Sequence, residues 1–600
     1  MPEQKEVKDK QESALLFLWF ALAIVVGGAI WLASERFHIA KNQIIEIVLC
    51  LGIVVYFAVD LCQISKSIPG KRKTLWPPHN PEIPVLKERI EVETAMAGGA
   101  ILVGHETDGQ PFIWSDEARA WQTIASGMSG AGKSTLIESI LQQDIARGVP
   151  IIFIDGKGEE KMLDKVMASI AASGRLHHLR LIDPSQPESS CGFNPLYAPH
   201  GNIDEHIDFV FESFKVDIGD DFFNQHQRTY LLDIGRVLYY SGKKFNIYDV
   251  LVTAYDETVM MRQIANAVEK AKGDSTITPS QRRTLEMAVQ NLLSSLSNKD
   301  RIQLVQGLLN NLATFMNDAL AVITGPYDNL LTIEEVLDKN LILYVSLNVN
   351  VNKKAVTSLG RIILQNLQLT LGKRYAKTGY GKDHPFVSVL LDEFAPFAYQ
   401  NFSVILQTAR GANVAFLFAL QNYAQLDPAG FGLRDSLSTG PNNTFVLRMK
   451  DSKTTEQVRS ESSEVKQERI SMQVEKAGFF SSQLEDRGIG SRSEYYETAI
   501  RDEQLKKLPS GQMQVLMTDQ QLGLKHLHIH VRRPIGHFFM GDPDPDPKVL
   551  PQYPVNCFYP SMETPMWTLE GLNLRFPTLE LEEQRNDSPR RRGRTGKGRK

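Results

Sequence analysis

The run Gly127-Met128-Ser129-Gly130-Ala131-Gly132-Lys133-Ser134-Thr135 fills the phosphate-loop pattern completely: glycine, four free positions, glycine, lysine, then serine. No other feature constrains the fold as strongly, because such a loop works only where a buried strand ends and a helix begins. The flanks agree. A short apolar-to-small stretch, Trp121 to Ser126, precedes the loop, and Leu136-Ile137-Glu138-Ser139-Ile140-Leu141 follows it with apolar residues at helical spacing. Bare backbone N–H groups at a helix N-terminus meet the charge of a triphosphate, and Gly127, Gly130 and Gly132 permit their close approach. Lys133 is placed to reach the β and γ phosphates and the Ser134 hydroxyl to ligand Mg2+, so ATP and Mg2+ are the expected cofactors.

A phosphate loop alone binds; hydrolysis needs carboxylates. Val387 to Leu391 reads as an apolar strand that delivers Asp392 and Glu393 to the carboxyl edge of a sheet. Asp392 is expected to hold Mg2+, bound by Ser134, through the ion's water shell, and Glu393 to orient or deprotonate the attacking water. Arg410 stands immediately before the next apolar strand, Val414 to Ala419, and that strand ends in Gln421. From there Arg410 is expected to point into the nucleotide of a neighbouring subunit, and Gln421 to sense the γ phosphate.

The remaining strands are expected at Ala100 to Trp114, Val149 to Ile154, His178 to Ile182, Leu341 to Val345 and Asn443 to Leu447, in a mostly parallel α/β sheet. Between them, residues 201–328 lack strand signals, and Gln225 to Tyr240 and Pro279 to Asn317 carry helical apolar spacing, which predicts an inserted all-α domain. The nucleotide-binding domain is therefore read as 87–200 plus 329–541. Residues 542–600 open on Asp542-Pro-Asp-Pro-Asp-Pro547, where alternate prolines exclude helix and central strand. That tail ends in Arg590, Arg591, Arg592, Arg594, Lys597, Arg599 and Lys600, a cluster suited to DNA or anionic lipid or simply to solvent. Lys353 and Lys354 are read as a solvated loop, with DNA contact as the sharper alternative.

Residues 1–75 read as a two-span membrane anchor. Ala14 to Ala33 is an uncharged run that as a helix spans about 30 Å, the thickness of a bilayer core. The second span is placed at Ile44 to Ile64, with Glu46 and Asp60 near its ends. Lys5, Lys8 and Lys10 before the first span and Lys66, Lys71, Arg72 and Lys73 after the second put both chain ends on the cytoplasmic side. The net charge of −4 supplies no global field for a nucleic acid, so any such partner must meet a local surface. Cys50, Cys62, Cys191 and Cys557 are too few and too scattered for a disulfide framework.

In this order the motifs resemble those of the membrane-anchored coupling ATPases of type IV secretion and bacterial conjugation, the TraD/TraG group. The resemblance rests on the two spans, the phosphate loop, Asp155-x-Lys157-Gly158-Glu159 after the next strand, the helical insertion, and Leu390-Leu391-Asp392-Glu393-Phe394. It continues through Arg410-Gly411 to Gln421 and Leu508-Pro509-x-Gly511-Gln512 before a late strand. It implies RecA-like motor domains assembled as a hexamer in the bacterial inner membrane. It further implies recruitment of a relaxase bound to single-stranded DNA, or of an effector protein, to the type IV secretion channel. The basic C-terminal tail departs from the acidic or specialised tails common in that group.

Three other readings compete. A DNA translocase of the FtsK or HerA type shares the motor core, but a recognisable C-terminal winged-helix region is missing and the helical insertion favours the coupling group. An ABC transporter ATPase is refuted by order, since its Gly-Gln signature precedes the acidic pair and here Gly511-Gln512 follows it. A nucleotide-locked membrane adaptor without catalysis would have no use for Glu393 or Arg410.

Overall fold

The computed structural model describes residues 83–534, apart from 200–201, 215–220, 299, 351–352, 379–383, 431, 477–483 and 520–522. Both expected membrane spans and the basic tail lie outside the described residues. Among the described residues no helix is long and apolar enough to cross a membrane.

Eleven strands make one sheet. In chain order they are β1 (Ala100–Glu106), β2 (Pro111–Ser115), β3 (Thr123–Ser126), β4 (Ile151–Asp155), β5 (Leu179–Ile182), β6 (Ile342–Ser346), β7 (Val387–Asp392), β8 (Val414–Leu420) and β9 (Asn443–Val446). After these, β10 (Glu464–Lys476) and β11 (Leu484–Thr498) pair with each other as a hairpin in a separate compact unit. Then β12 (Gln512–Asp519) and β13 (Gly523–Val531) return to the large sheet, whose spatial order is β2-β1-β13-β12-β9-β3-β8-β7-β4-β6-β5.

The seven strands from β9 to β5 are parallel to their neighbours, and the other four join antiparallel through β12. Parallel strands must be covered on both faces, which explains their unbroken apolar runs. Alternate residues go to opposite faces: Ile152, Ile154, Val387, Val389, Leu391, Phe416 and Phe418 join one core. Ile151, Phe153, Leu390, Leu417 and Ala419 join the other, with Leu136, Ile137, Ile140 and Leu141 of the helix Lys133–Ala146. Each Val, Leu, Ile or Phe among these contributes roughly 1.5–3 kcal/mol when fully buried.

Three expectations change. Ala100 to Trp114 is not one strand but the hairpin of β1 and β2, turned at Gly109 with a positive φ. The helical spacing of Pro279 to Asn317 belongs to two helices, Pro279–Leu296 and Arg301–Ala313, broken around Asp300. Lys353 and Lys354 are not in a loop; they open the helix Lys353–Thr378.

Between β5 and β6 the described chain is helical from Ile203 to Asp338, apart from its connections. Local chemistry sets these boundaries. Asn246 and Asp249 form a reciprocal capping box, with Asn246 N donating to Asp249 Oδ2 at 2.9 Å and Asp249 N to Asn246 Oδ1 at 3.1 Å. Thr278 and Gln281 form another, with Pro279 in the first helical position. The apolar face of Ile203–Phe214 shares a core with Leu359, Ile362 and Ile363 of Lys353–Thr378, so the helical segment is fused to the sheet's cover.

Two buried polar groups carry testable stability effects. At the edge of the sheet where β7 begins, Arg119 donates to Asp144 at 2.8 and 2.5 Å and to Ser388 Oγ at 3.1 Å, and Asp144 is fully buried. Asp144→Ala removes the buried carboxylate that Arg119 shares with Arg147 and leaves Arg119 with Ser388 and the 3.4 Å contact to Asp116, and urea unfolding should show a loss of about 3–5 kcal/mol. In the helical segment, burial holds the His206 imidazole neutral down to about 4, whereas the unfolded ring protonates near 6.5. The unfolded state therefore binds more protons in that window, and stability should fall as pH drops from 6.5 toward 4. Comparing wild type with His206→Gln at about pH 7 and about pH 5 isolates this contribution, with a slope of up to about 1.4 kcal/mol per pH unit.

Candidate nucleotide site

Because β9, β3, β8, β7 and β4 run parallel side by side, the residues that follow them line up along one edge. In spatial order these are Arg448, the phosphate loop from Gly127, Gln421, Glu393, and the Gly156-Lys157 turn. Ligand sites in open α/β sheets form at this carboxyl edge.

The loop is anchored from beneath. Gly127 N donates to Leu420 O at 3.1 Å and Met128 N to Arg448 O at 2.9 Å, tying the loop to the ends of β8 and β9. Gly132, at φ +112°, turns the chain into the helix, whose first N–H groups lack intrahelical acceptors and face the loop. A Cβ there would stand 3.3 Å from Gly511 N. Lys133 is buried and folds back on the loop, donating to Gly127 O and, at 3.3 Å, to Met128 O. Burial pulls its pKa below the usual lysine range, with Asp392 opposing.

Ser134 and Asp392 meet. Ser134 Oγ donates to Asp392 Oδ2 at 3.2 Å across 258 positions of sequence. Asp392 is 2 % exposed, and its Oδ1 is buried with no hydrogen-bond partner. A hydroxyl, a buried carboxylate and an orphaned carboxylate oxygen form the hard oxygen set that Mg2+ prefers, so the residues fit that ion. Glu393 holds a positive φ of 55°, a conformation sparsely used by residues with a Cβ. Its Oε1 accepts from Gln421 Nε2 at 3.1 Å, which joins the expected water-handling and sensing residues in one contact.

Arg410 lies elsewhere. It closes the helix Ser403–Gly411 just before β8 begins, at the opposite edge of the sheet, and its guanidinium lies over the Trp121 ring. Within one subunit it does not join Lys133, Asp392, Glu393 and Gln421.

Three groups went unassigned in the sequence reading. Lys157 Nζ donates to Ser134 Oγ at 2.7 Å and to Asp392 Oδ2 at 2.8 Å. The turn Leu508-Pro509-Ser510-Gly511-Gln512 buttresses the phosphate loop: Ser510 Oγ donates to Gly130 O at 3.1 Å and Gly511 N to Ala131 O at 3.2 Å. Arg448, at the end of β9, donates to Ser510 Oγ at 3.3 Å and so stands beside the loop. The available signal was local: a lysine between two glycines after an apolar strand, and an arginine directly after another.

Comparison with known proteins places this arrangement. A family profile described as the TraM recognition site of TraD and TraG matches residues 386–510. The bacterial conjugative coupling protein TrwBdeltaN70, in its unbound monoclinic form, shares the fold at a TM-score of 0.51 and 14% identity, over 74% of this chain and 92% of that one. The plasmid coupling protein TrwB in complex with the non-hydrolysable GTP analogue GDPNP does so at a TM-score of 0.50 and 14% identity, over 73% and 92%. No curated protein matches. The chain thus carries, over residues 386–510, a segment similar to that of TraD and TraG, and it shares its fold with the conjugative coupling protein structures.

Proposed function

We propose that this chain is an ATP-hydrolysing coupling protein that moves relaxase-bound single-stranded DNA, or an effector protein, into a type IV secretion channel during conjugation. The observation that carries the reading is the meeting of Ser134 with Asp392, beside a linked Glu393 and Gln421, on one sheet edge. The loop N–H groups and Lys133 bind the phosphates. Ser134 and Asp392 hold Mg2+, which when bound offsets the charge that gathers on the transferred phosphoryl group. Glu393 orients the attacking water and takes its proton, and Gln421 links that carboxylate to the end of β8.

Arg410 completes the site of a neighbouring subunit. Its place at the far edge of the sheet supports action in trans, because its own phosphate loop lies at the other end of β3 and β8. An assembly is therefore required, and a hexamer is the form the family resemblance supports. The apolar spans at 14–33 and 44–64 support a bacterial inner-membrane anchor with the ATPase region in the cytoplasm. The profile over residues 386–510 supports recruitment through an accessory protein of the TraM kind.

The test is steady-state hydrolysis by the detergent-solubilised full chain, with and without single-stranded DNA. Wild type should hydrolyse ATP with Mg2+ and faster with DNA, and Glu393→Gln should lower kcat by about 10²–10⁴ while nucleotide still binds. Hydrolysis unchanged in Lys133→Ala would defeat the reading. Arg410→Ala alone should lose about 10³–10⁵ in rate. Mixing Arg410→Ala with Lys133→Ala subunits should restore part of it, since some interfaces then pair an intact loop with an intact arginine; no recovery would place Arg410 outside the reaction.

A further inference from the structure

We propose that Lys157 is a tethered counter-cation that holds the metal position of the site before nucleotide binds and must be displaced each time Mg2+ arrives with nucleotide. The inference rests on the nucleotide-site reading above. It starts from an electrostatic problem. Asp155 and Asp392 stand in register on adjacent strands, and Glu393 follows directly, so three carboxyl groups crowd one edge. A buried carboxylate without a partner cation costs several kcal/mol. Lys157 answers that cost at Asp392, where its ammonium bridges Oδ2 and Ser134 Oγ.

The backbone that carries this lysine is fixed. Asp155 Oδ1 accepts from Lys157 N at 2.9 Å and from Gly158 N at 3.2 Å, while Oδ2 accepts from Glu159 N at 3.2 Å and from the buried Tyr344 hydroxyl at 3.0 Å. A Cβ on Gly156 would lie 2.9 Å from Asp392 O. Gly158 has φ +60°, and a Cβ there would lie 2.8 Å from Asn348 Cβ. The turn is locked against β6 and β7, and the freedom that remains lies in the lysine side chain. Burial disfavours its charged form, but the charge and hydrogen bond of Asp392 outweigh that and hold its pKa above the ordinary lysine value.

Lys157 grips Ser134 Oγ and Asp392 Oδ2, two of the three oxygens assigned to Mg2+, and leaves Asp392 Oδ1 as the third. An ammonium and a metal ion cannot share the two gripped oxygens, so their occupancy is exclusive. Exclusive occupancy has a functional consequence: free metal is resisted at the site before nucleotide binds, the carboxylate stays compensated between turnovers, and the metal gains entry only together with the phosphates that also bind it.

The experiment measures Mn2+ binding by electron paramagnetic resonance to the full chain without nucleotide, for wild type, Lys157→Met and Lys157→Gln. Removing the competing charge should tighten Mn2+ binding by about tenfold or more, the effect expected of a cation within hydrogen-bond distance of the same oxygens. Both variants should also melt at a lower temperature than wild type when empty, and gain more in melting temperature from Mg2+ with a non-hydrolysable ATP analogue. Lys157→Gln serves if Lys157→Met fails to fold, because its amide can still donate to Asp392. Unchanged or weaker Mn2+ binding in the folded variants overturns the proposal. Asp392→Asn separates the two claims: it should abolish Mn2+ binding in every background, and its failure to do so would overturn the site assignment itself.

Discussion

A carboxylate buried under a phosphate loop is the constraint around which the rest of this molecule is arranged. Asp392 is 2 % exposed, and it reaches Ser134 although the two lie far apart in the chain. Such burial is tolerable only where cations or hydrogen-bond donors converge on the group. Ser134, after β3, and Lys157, on the turn that Asp155 fixes after β4, supply them from two different strand ends. The stability of the sheet and the chemistry of its edge are therefore one problem.

Sheet order solves it. With β8 between β3 and β7, the phosphate loop and the acidic pair are separated by one strand width, and the residue after β8, Gln421, falls between them and contacts Glu393. The same parallel directions send Arg410 to the far edge. One geometric rule thus gathers four of the catalytic candidates and excludes the fifth. Separate clusters cover the two faces, so the edge is held by strands buried on both sides.

Much of this was legible locally. The phosphate loop, the apolar strands β4 to β9 and the helical stretch between β5 and β6 announce themselves through glycine placement and periodicity, which depend only on neighbours in sequence. What periodicity could not supply was partnership between distant segments. The role of Lys157 depends on a carboxylate 235 positions away, and that of Ser510 on a loop 380 positions away. The antiparallel extension through β12, β13, β1 and β2 was likewise hidden, because β12 and β13 lie far along the chain from their partners in β9 and β1. At Ala100 to Trp114 the strand pattern ran through a turn at Gly109: β2 alternates buried and exposed residues, whereas β1 is buried almost throughout.

The most direct measurement is an anomalous-scattering or cryo-EM structure of the full chain with Mn2+ and a non-hydrolysable ATP analogue. The metal should sit on Ser134 Oγ and the Asp392 carboxylate, with the phosphates against the loop at Gly127 to Thr135 and the Lys157 ammonium released from both oxygens. A metal bound away from Ser134 and Asp392, or a triphosphate seated with Lys157 still bridging them, would contradict the account.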